Sequence, residues 1–431
     1  MSLVPKGGLA NASEAHPALG NYRWHVVLML WCISFLNYAD RQAIFSVFPL
    51  LQKQLGLDLV QLGLLASSFA WVYGIGAPFA GIVVDRVRRK TAILGGLQVW
   101  SVICMVTGLC SNFRSLLILR AAEGLGETFY YPASMSMLSD YHGKQTRSKA
   151  IGIHQTSVYF GTIAGGFFAG LIGQHYGWRW SFYVFGGLGL VLSVVLRRSL
   201  REPVRGASER IAVQRHFPVR QALRIVWQTP TAVALMAAFL CANFVAVVLL
   251  SWMPKFVHDR FGLDLATSGL TATAFAQIPS FVGAIAGGWL ADAWRRRTVG
   301  GRVLVQAIGV FCGAPFVALC GFSGSVRTLL FALAFWGFFK GLYDANIFAS
   351  VFDAIRPEAR GTATGFMNMI GWLGGGGTAP LIIGLVARTH GLGFSIALAS
   401  VVYIASGFLL LTALAFISRD HAALYAEVAV A

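Results

Sequence analysis

The chain of 431 residues is 56% hydrophobic and only 12% charged, with a mean hydropathy of +0.67. A soluble domain carries about 25% charged residues, so a water-soluble core is excluded as the main home of this sequence. The formal charge of +17 would suit a nucleic-acid binder, but of the 34 Lys and Arg, 24 fall on the side of the N-terminus, 7 on the opposite side and 3 within apolar runs. That is the positive-inside asymmetry of a membrane protein whose basic face meets anionic lipid, and it argues against a nucleic-acid partner.

In chain order, residues 1–20 form a cytoplasmic tail with no basic-then-apolar signal sequence, so the first apolar run is itself the expected insertion signal. A helical crossing needs roughly 17–25 mainly apolar residues. Twelve runs meet that demand, near 24–47, 62–84, 91–111, 115–138, 150–172, 180–196, 231–253, 266–291, 301–321, 327–351, 361–386 and 394–417. The expected fold is an all-α membrane protein of twelve transmembrane helices. A six-helix bundle over 21–196 and another over 231–418 flank a basic cytoplasmic linker over 197–230, and 419–431 form a cytoplasmic tail. The linker, with Arg197, Arg198, Arg201, Arg205 and Arg210 in its first part, reads as a solvated segment lying against lipid head groups.

The two halves repeat each other. Gly81-Ile-Val-Val-Asp85-Arg-Val-Arg88-Arg89-Lys90 leaves one apolar run, and Gly288-Trp-Leu-Ala-Asp292-Ala-Trp-Arg295-Arg296-Arg297 leaves another. Asp140, Arg147, Ala150 and Gly152 recur as Asp353, Arg360, Ala363 and Gly365, shifted by 213 positions. Duplicated halves in so apolar a chain place a carrier's substrate site between the repeats, near the bilayer midplane. On the fifth run Gly161, Gly165, Gly166 and Gly170 make two small-xxx-small pairs for close helix approach. On the eleventh, Gly374 to Gly377 weaken the helix by about 1 kcal/mol each relative to Ala, which suits close packing or a bend.

Ionisable groups within spans are costly and usually face a cavity or a partner. The first run carries Asp40 and Arg41, and the fourth carries Arg120, Glu123 and Glu127 along one stripe. Arg120 lies near the outer end, where snorkelling is open to it. These residues form either a salt-bridge cluster joining two helices or a coupling device, in which Arg41 holds an anion while Asp40 and Glu127 exchange protons. An arginine fork grips a carboxylate bidentately and stays charged. The 213-residue shift sets Lys340 opposite Glu127. Lys340 and Asp344, four apart, either neutralise each other or offer a second anion contact. Tyr73, Gln155, Tyr159, Asn346, Asn368 and Trp372 could complete a pocket, although each alone suits helix packing. His154 reads as a satisfied span histidine, and the six cysteines as small packing residues with no metal-ligand or disulfide spacing.

The Gly81–Lys90 loop and its repeat resemble the signature loops of the major facilitator superfamily. By that resemblance Gly81, Asp85 and Arg89 and their counterparts Gly288, Asp292 and Arg296 are gating latches. Arg88 and Arg295 stand where the family often has glycine. Asn37-Tyr38-Ala39-Asp40-Arg41 and Arg120-x6-Glu127 resemble the anion:cation symporter family of proton-coupled sugar-acid and sialic-acid carriers. The resemblance implies that Arg41 meets the substrate carboxylate, Asp40 and Glu127 carry protons, Arg120 organises Glu127 and Tyr73 is a binding-site aromatic. Lys340 and Asp344 lie outside that pattern. The spinster-like lipid transporters share the first motif and a glutamate on the fourth span, so an amphiphilic substrate is the alternative. An enzyme is not expected, since HExxH, GxSxG and phosphate-binding Gly-Lys-Ser/Thr patterns are lacking. The expected partners are a small organic anion, protons and lipid around a monomer in a bacterial inner membrane, with no cofactor and no metal.

Overall fold

The computed structural model describes residues 21–143, 145–203, 219–356 and 359–430. The side chain of Asp85, one of the expected latch residues, lies outside the described set, as do linker residues 204–218, with Arg205 and Arg210 among them. The described residues are helical with no strand: α1 Tyr22–Ser46, α2 Phe48–Leu55, α3 Leu59–Arg86, α4 Arg89–Thr107, α5 Phe113–Glu127, α6 Tyr130–Tyr141, α7 Arg147–Tyr176, α8 Trp178–Ser199, α9 Val219–Gln228, α10 Pro230–Phe261, α11 Leu265–Arg295, α12 Gly301–Phe322, α13 Val326–Asp344, α14 Ile347–Ala354, α15 Arg360–Ile370, α16 Ala379–His390 and α17 Leu392–Val430. Ten stretches are long and apolar enough to cross a membrane, so this is an integral multi-pass membrane protein. The path through α1, with Asp40 and Arg41, and that through α5 and α6, with Arg120, Glu123 and Glu127, fall outside those ten.

Several expected spans are divided. The fourth run breaks at Thr128–Phe129 and the tenth at Ala345–Asn346, in corresponding regions of the two repeats. The eleventh run contains a π-helical segment, Gly371–Gly376, between α15 and α16, where the glycine run begins. The linker holds a short helix, α9, with Ala222 and Val226 buried.

Helix starts at one end of the molecule are fixed by side-chain caps at matching places in the two halves. Asp58 and Gln61 form a capping box on α3, and Asp264 accepts from Thr267 N–H at 3.0 Å on α11. Asn112 caps α5 through Ser115 N–H at 2.9 Å and Ser325 caps α13 through Thr328 N–H at 3.2 Å. Each cap supplies a partner for one of the unpaired amides of a first helical turn.

The four glycines of α7 form two rows. A Cβ on Gly161 or Gly165 would run into the α1 backbone at Phe35 and Ala39, and one on Gly166 or Gly170 into α11 at Gly269 and Leu265. α7 therefore packs backbone to backbone against its own half on one side and the other half on the other. Further contacts between the halves gather from mid-depth toward the capped end. Gln42 Nε2 donates to Leu250 O at 2.9 Å, Lys255 Nζ donates to Gln52 Oε1 at 2.5 Å, and Gly63 lies against the Pro380 carbonyl.

Candidate functional site

At the basic end, the second sequence echo has a structural explanation. Arg147 donates to the carbonyls of His142 and Ser139 at the end of α6, and Arg360 donates to those of Ile355 and Phe352 at the end of α14. Each arginine is thus a cation placed on the negative end of a short helix. Arg89 pairs with Asp140 and, at 3.1 Å, with Glu202. Glu202 also accepts from the first amides of α4, Arg89 N–H at 3.1 Å and Lys90 N–H at 2.7 Å. In the other half the residue that matches Arg89 is Arg302, which pairs with Asp353 at 3.0 Å and Asp292 at 3.3 Å. Arg296, expected in that place from the loop alignment, is exposed. The ion-pair symmetry follows the 213-residue shift rather than the loop spacing. At Gly81 and Gly288 an added Cβ would meet open space, so steric packing does not account for those glycines.

The charges of the first and fourth apolar runs converge in the N-terminal half. Arg41 Nε donates to Glu127 Oε2. The Arg41 guanidinium lies over four rings: Tyr73 at 4.5 Å, Tyr38 and Phe69 at 5.0 Å, and Trp372 at 5.7 Å. Such contacts stabilise a desolvated cation by roughly 1–2 kcal/mol each. Trp372 comes from the π-helical segment of the other half and meets the Tyr73 ring at 5.3 Å. Arg41 Nη1 and Glu127 Oε1 are buried without a hydrogen-bond partner among the described residues, so the pair keeps unused bonding capacity on both sides.

Behind this pair lies a second layer. Arg120 Nη1 donates to Glu123 Oε2 at 2.5 Å, and both side chains are fully buried. Snorkelling from the outer end is therefore overturned: α5 carries Arg120 deep enough to pair internally. Its ion partner is Glu123, while Glu127 is held by Arg41, unlike the Arg120–Glu127 arrangement that the resemblance implies. Asp40 accepts from Cys104 Sγ at 2.9 Å, and the ligating atoms of Asp40, Cys104 and Glu123 lie within 4.8 Å of one another. Cys104 is thus more than a packing residue and is silent in the sequence, whereas Glu123 figures there only as a member of a charged stripe, with no role of its own. The stripe of Arg120, Glu123 and Glu127 was the one available signal.

The remaining expected residues are dispersed. Lys340 and Asp344 form an ion pair on α13. The Asn346 amide donates to Gly287 O at 3.2 Å and Leu342 O at 3.1 Å, bracing α13 against α11. Tyr159 on α7 contacts the Phe281 ring of α11 at 5.9 Å, and Gln155 is half-buried on the same helix, next in sequence to His154. Asn368 is half-buried on α15. His154 shares a 2.9 Å hydrogen bond with Tyr130 through Nε2.

The profile of the Major Facilitator Superfamily matches residues 30–297 and 261–427. Among curated relatives, the chain is 25% identical over 415 residues to the probable galactarate/D-glucarate transporter GudP of Escherichia coli (strain K12), covering 89% of this chain and 91% of that one. It is 27% identical to the hexuronate transporter of Bacillus subtilis (strain 168), covering 80% and 83%. The D-galactonate transporter of Escherichia coli O6:H1 is 26% identical, covering 86% and 91%. Among solved structures, a bacterial homologue of the human lysosomal transporter spinster, inward-facing and unoccupied, superposes with a TM-score of 0.78 at 22% identity, covering 94% of this chain and 98% of that one. This last likeness concerns the fold.

Proposed function

The chain belongs to the Major Facilitator Superfamily, whose relatives here are transporters rather than enzymes, and on that premise we propose that it moves a small organic anion of the sugar-acid class by proton-coupled alternating access. Twelve crossings in two six-helix halves result if α1 and the divided α5–α6 path are counted with the ten apolar stretches. The observation that carries the proposal is the Arg41–Glu127 pair, caged by aromatic rings from both halves, with Arg41 Nη1 and Glu127 Oε1 unused. A substrate carboxylate competes with Glu127 for the Arg41 fork. Once displaced, Glu127 is a buried carboxylate without its cation and is stabilised by taking a proton. Anion binding and proton binding then favour each other. Asp40, held by Cys104 beside Glu123, is the second proton site, and Arg120 fixes that layer. Sugar-acid carriers among the relatives agree with an anionic substrate, and a bacterial inner membrane is the setting proposed. Asn346, whose amide is committed to carbonyls, is left out of the binding set.

Glu127→Gln tests this directly, because Gln keeps the size but cannot titrate. Counterflow of labelled sugar acid, which needs no net proton movement, should persist while uptake driven by a pH gradient falls to background. Equal loss of both, with poor folding, would contradict the proposal in favour of a structural salt-bridge cluster.

A further inference from the structure

Three carboxyl groups and two guanidiniums meet in the core of the N-terminal half, and the charges do not balance. The ion pairs Arg41–Glu127 and Arg120–Glu123 use both cations. Asp40 is left over: it is 3% exposed and accepts only the Cys104 thiol, on Oδ1 at 2.9 Å. With all three carboxyls ionised the five groups carry a net charge of −1, and a buried, unpaired charge is costly enough to be removed by a proton. Glu123 shows where that proton lies. Its Oε2 takes the bond from Arg120 Nη1 at 2.5 Å. Its Oε1 is buried, with no N–H or hydroxyl donor in reach, and the group that faces it is the Asp40 carboxyl, in a cluster whose polar atoms lie within 4.8 Å of one another. Two carboxylates repel, whereas a carboxylic acid and a carboxylate bond through a single O–H. The other titratable groups facing these two are Cys104 from α4 and Arg120 and Glu127 from α5. From α3 comes the Phe69 ring, 4.9 Å from the Arg120 guanidinium, and from α7 the Gly165 backbone against Ala39.

Resting on the anion-carrier reading and its second proton site, we propose that this site is a carboxyl pair, Asp40 and Glu123, holding one proton between them, with Glu123 the positioning residue that decides its occupancy. The bridging O–H supplies the partner that Glu123 Oε1 lacks. The Cys104 thiol occupies Oδ1 of Asp40 and leaves the other oxygen for Glu123. The pair exchanges one proton with water and never two. Both carboxyls ionised leave the cluster at −1, and both protonated leave Arg120 buried without a counter-ion. Arg120 Nε is itself buried with no partner among the described residues, so this guanidinium keeps capacity for a second carboxylate. If Glu123 loses its charge, Asp40 becomes the anion for Arg120 and ionises, and the proton is gone. If Asp40 loses its charge, Glu123 stays ionised on Arg120, and the proton is gone again. Both carboxyls are therefore required to hold a single proton. A site made of Asp40 alone would keep its proton without Glu123.

The test is infrared absorption of the purified, substrate-free protein at neutral pH, where the C=O stretch of a protonated carboxyl is recognised by its shift in heavy water. The expected absorption is present in wild type, kept in Glu127→Gln and lost in both Asp40→Asn and Glu123→Gln. Glu123→Met, which removes the charge without adding an amide, gives the same readout where Gln is not tolerated. In liposomes the Asp40 and Glu123 variants should each carry one proton fewer per sugar acid than wild type. An absorption that survives in the Glu123 variants assigns the proton to Asp40 alone and overturns the proposal. One that survives in Asp40→Asn assigns it to Glu123 alone and overturns it equally, as does its absence from wild type. Because the spectrum needs no substrate, those results leave the anion-carrier reading standing. That reading fails on a different observation, wild-type sugar-acid uptake that ignores the pH gradient, which would also strip the pair of its part in coupling.

Discussion

At the scale of single residues, the account rests on what a guanidinium does that an ammonium cannot. Arg41 presents Nε to Glu127, holds Nη1 unpaired and lays its plane against four rings. Lys would keep the charge but lose the fork and most of the stacking. Arg41→Lys should weaken equilibrium substrate binding by about 10- to 100-fold, the worth of a charge-assisted hydrogen bond of roughly 1.5–3 kcal/mol, while folding persists. Binding of unchanged affinity would make Arg41 structural. Much of this site is legible in the sequence, because a charge inside an apolar run needs a reason: Asp40, Arg41, Glu127, Lys340 and Asp344 announce themselves in that way. Which cation meets which carboxylate is not legible. Arg120 stands three residues from Glu123 and seven from Glu127, and only the placement of α1 decides that Arg41 takes the second. Cys104 is silent too, because a cysteine in an apolar run has the same appearance whether it packs or donates to Asp40.

At the scale of elements, the informative residues are those without side chains. The α7 glycines read as small-xxx-small pairs, and the structure divides them into a row for α1 and a row for α11. The second row governs contact between halves, since Gly166 meets Gly269 with no room for a Cβ on either side. Gly166→Val should hold the halves apart at the capped end, lowering stability by about 1–3 kcal/mol as overpacking does and abolishing transport. Spin labels on the capped ends of α7 and α11 should report a longer mean distance than in the parent protein. An unchanged distance with normal transport would show that this contact is not required for closure. The Gly374–Gly377 run signalled a bend, and the π-helical segment Gly371–Gly376 provides one while delivering Trp372 to Arg41. Such segments are frequent at functional sites. The break at Thr128–Phe129 precedes Pro132, which has no amide for the Thr128 carbonyl four residues back and crowds it; the break at Ala345–Asn346 contains neither Gly nor Pro and had no such signal. Helix α9 was likewise hidden, because its arginines outweigh the few apolar residues it buries.

At the scale of the whole molecule, the duplication legible in two loops extends to the ion pairs. Arg89 with Asp140 and Arg302 with Asp353 are one device used twice, as are Arg147 and Arg360 on their helix ends. Repeats related in this way place a carrier's site at the seam between them, and Arg41 of α1 lies 5.7 Å from the Trp372 ring of the other half. The loop signature was enough to find the family but misassigned one partner, because Arg296 matches Arg89 in loop spacing and Arg302 matches it in space. The central claim is that anion binding and proton binding are coupled across this seam. It is tested most directly by uptake of a labelled sugar acid into liposomes containing the purified protein, with an inward proton gradient, with the gradient collapsed by a protonophore, and with sodium present or absent. The account predicts accumulation that follows the proton gradient, disappears with the protonophore and is indifferent to sodium. Accumulation that survives collapse of the proton gradient and requires sodium would contradict it.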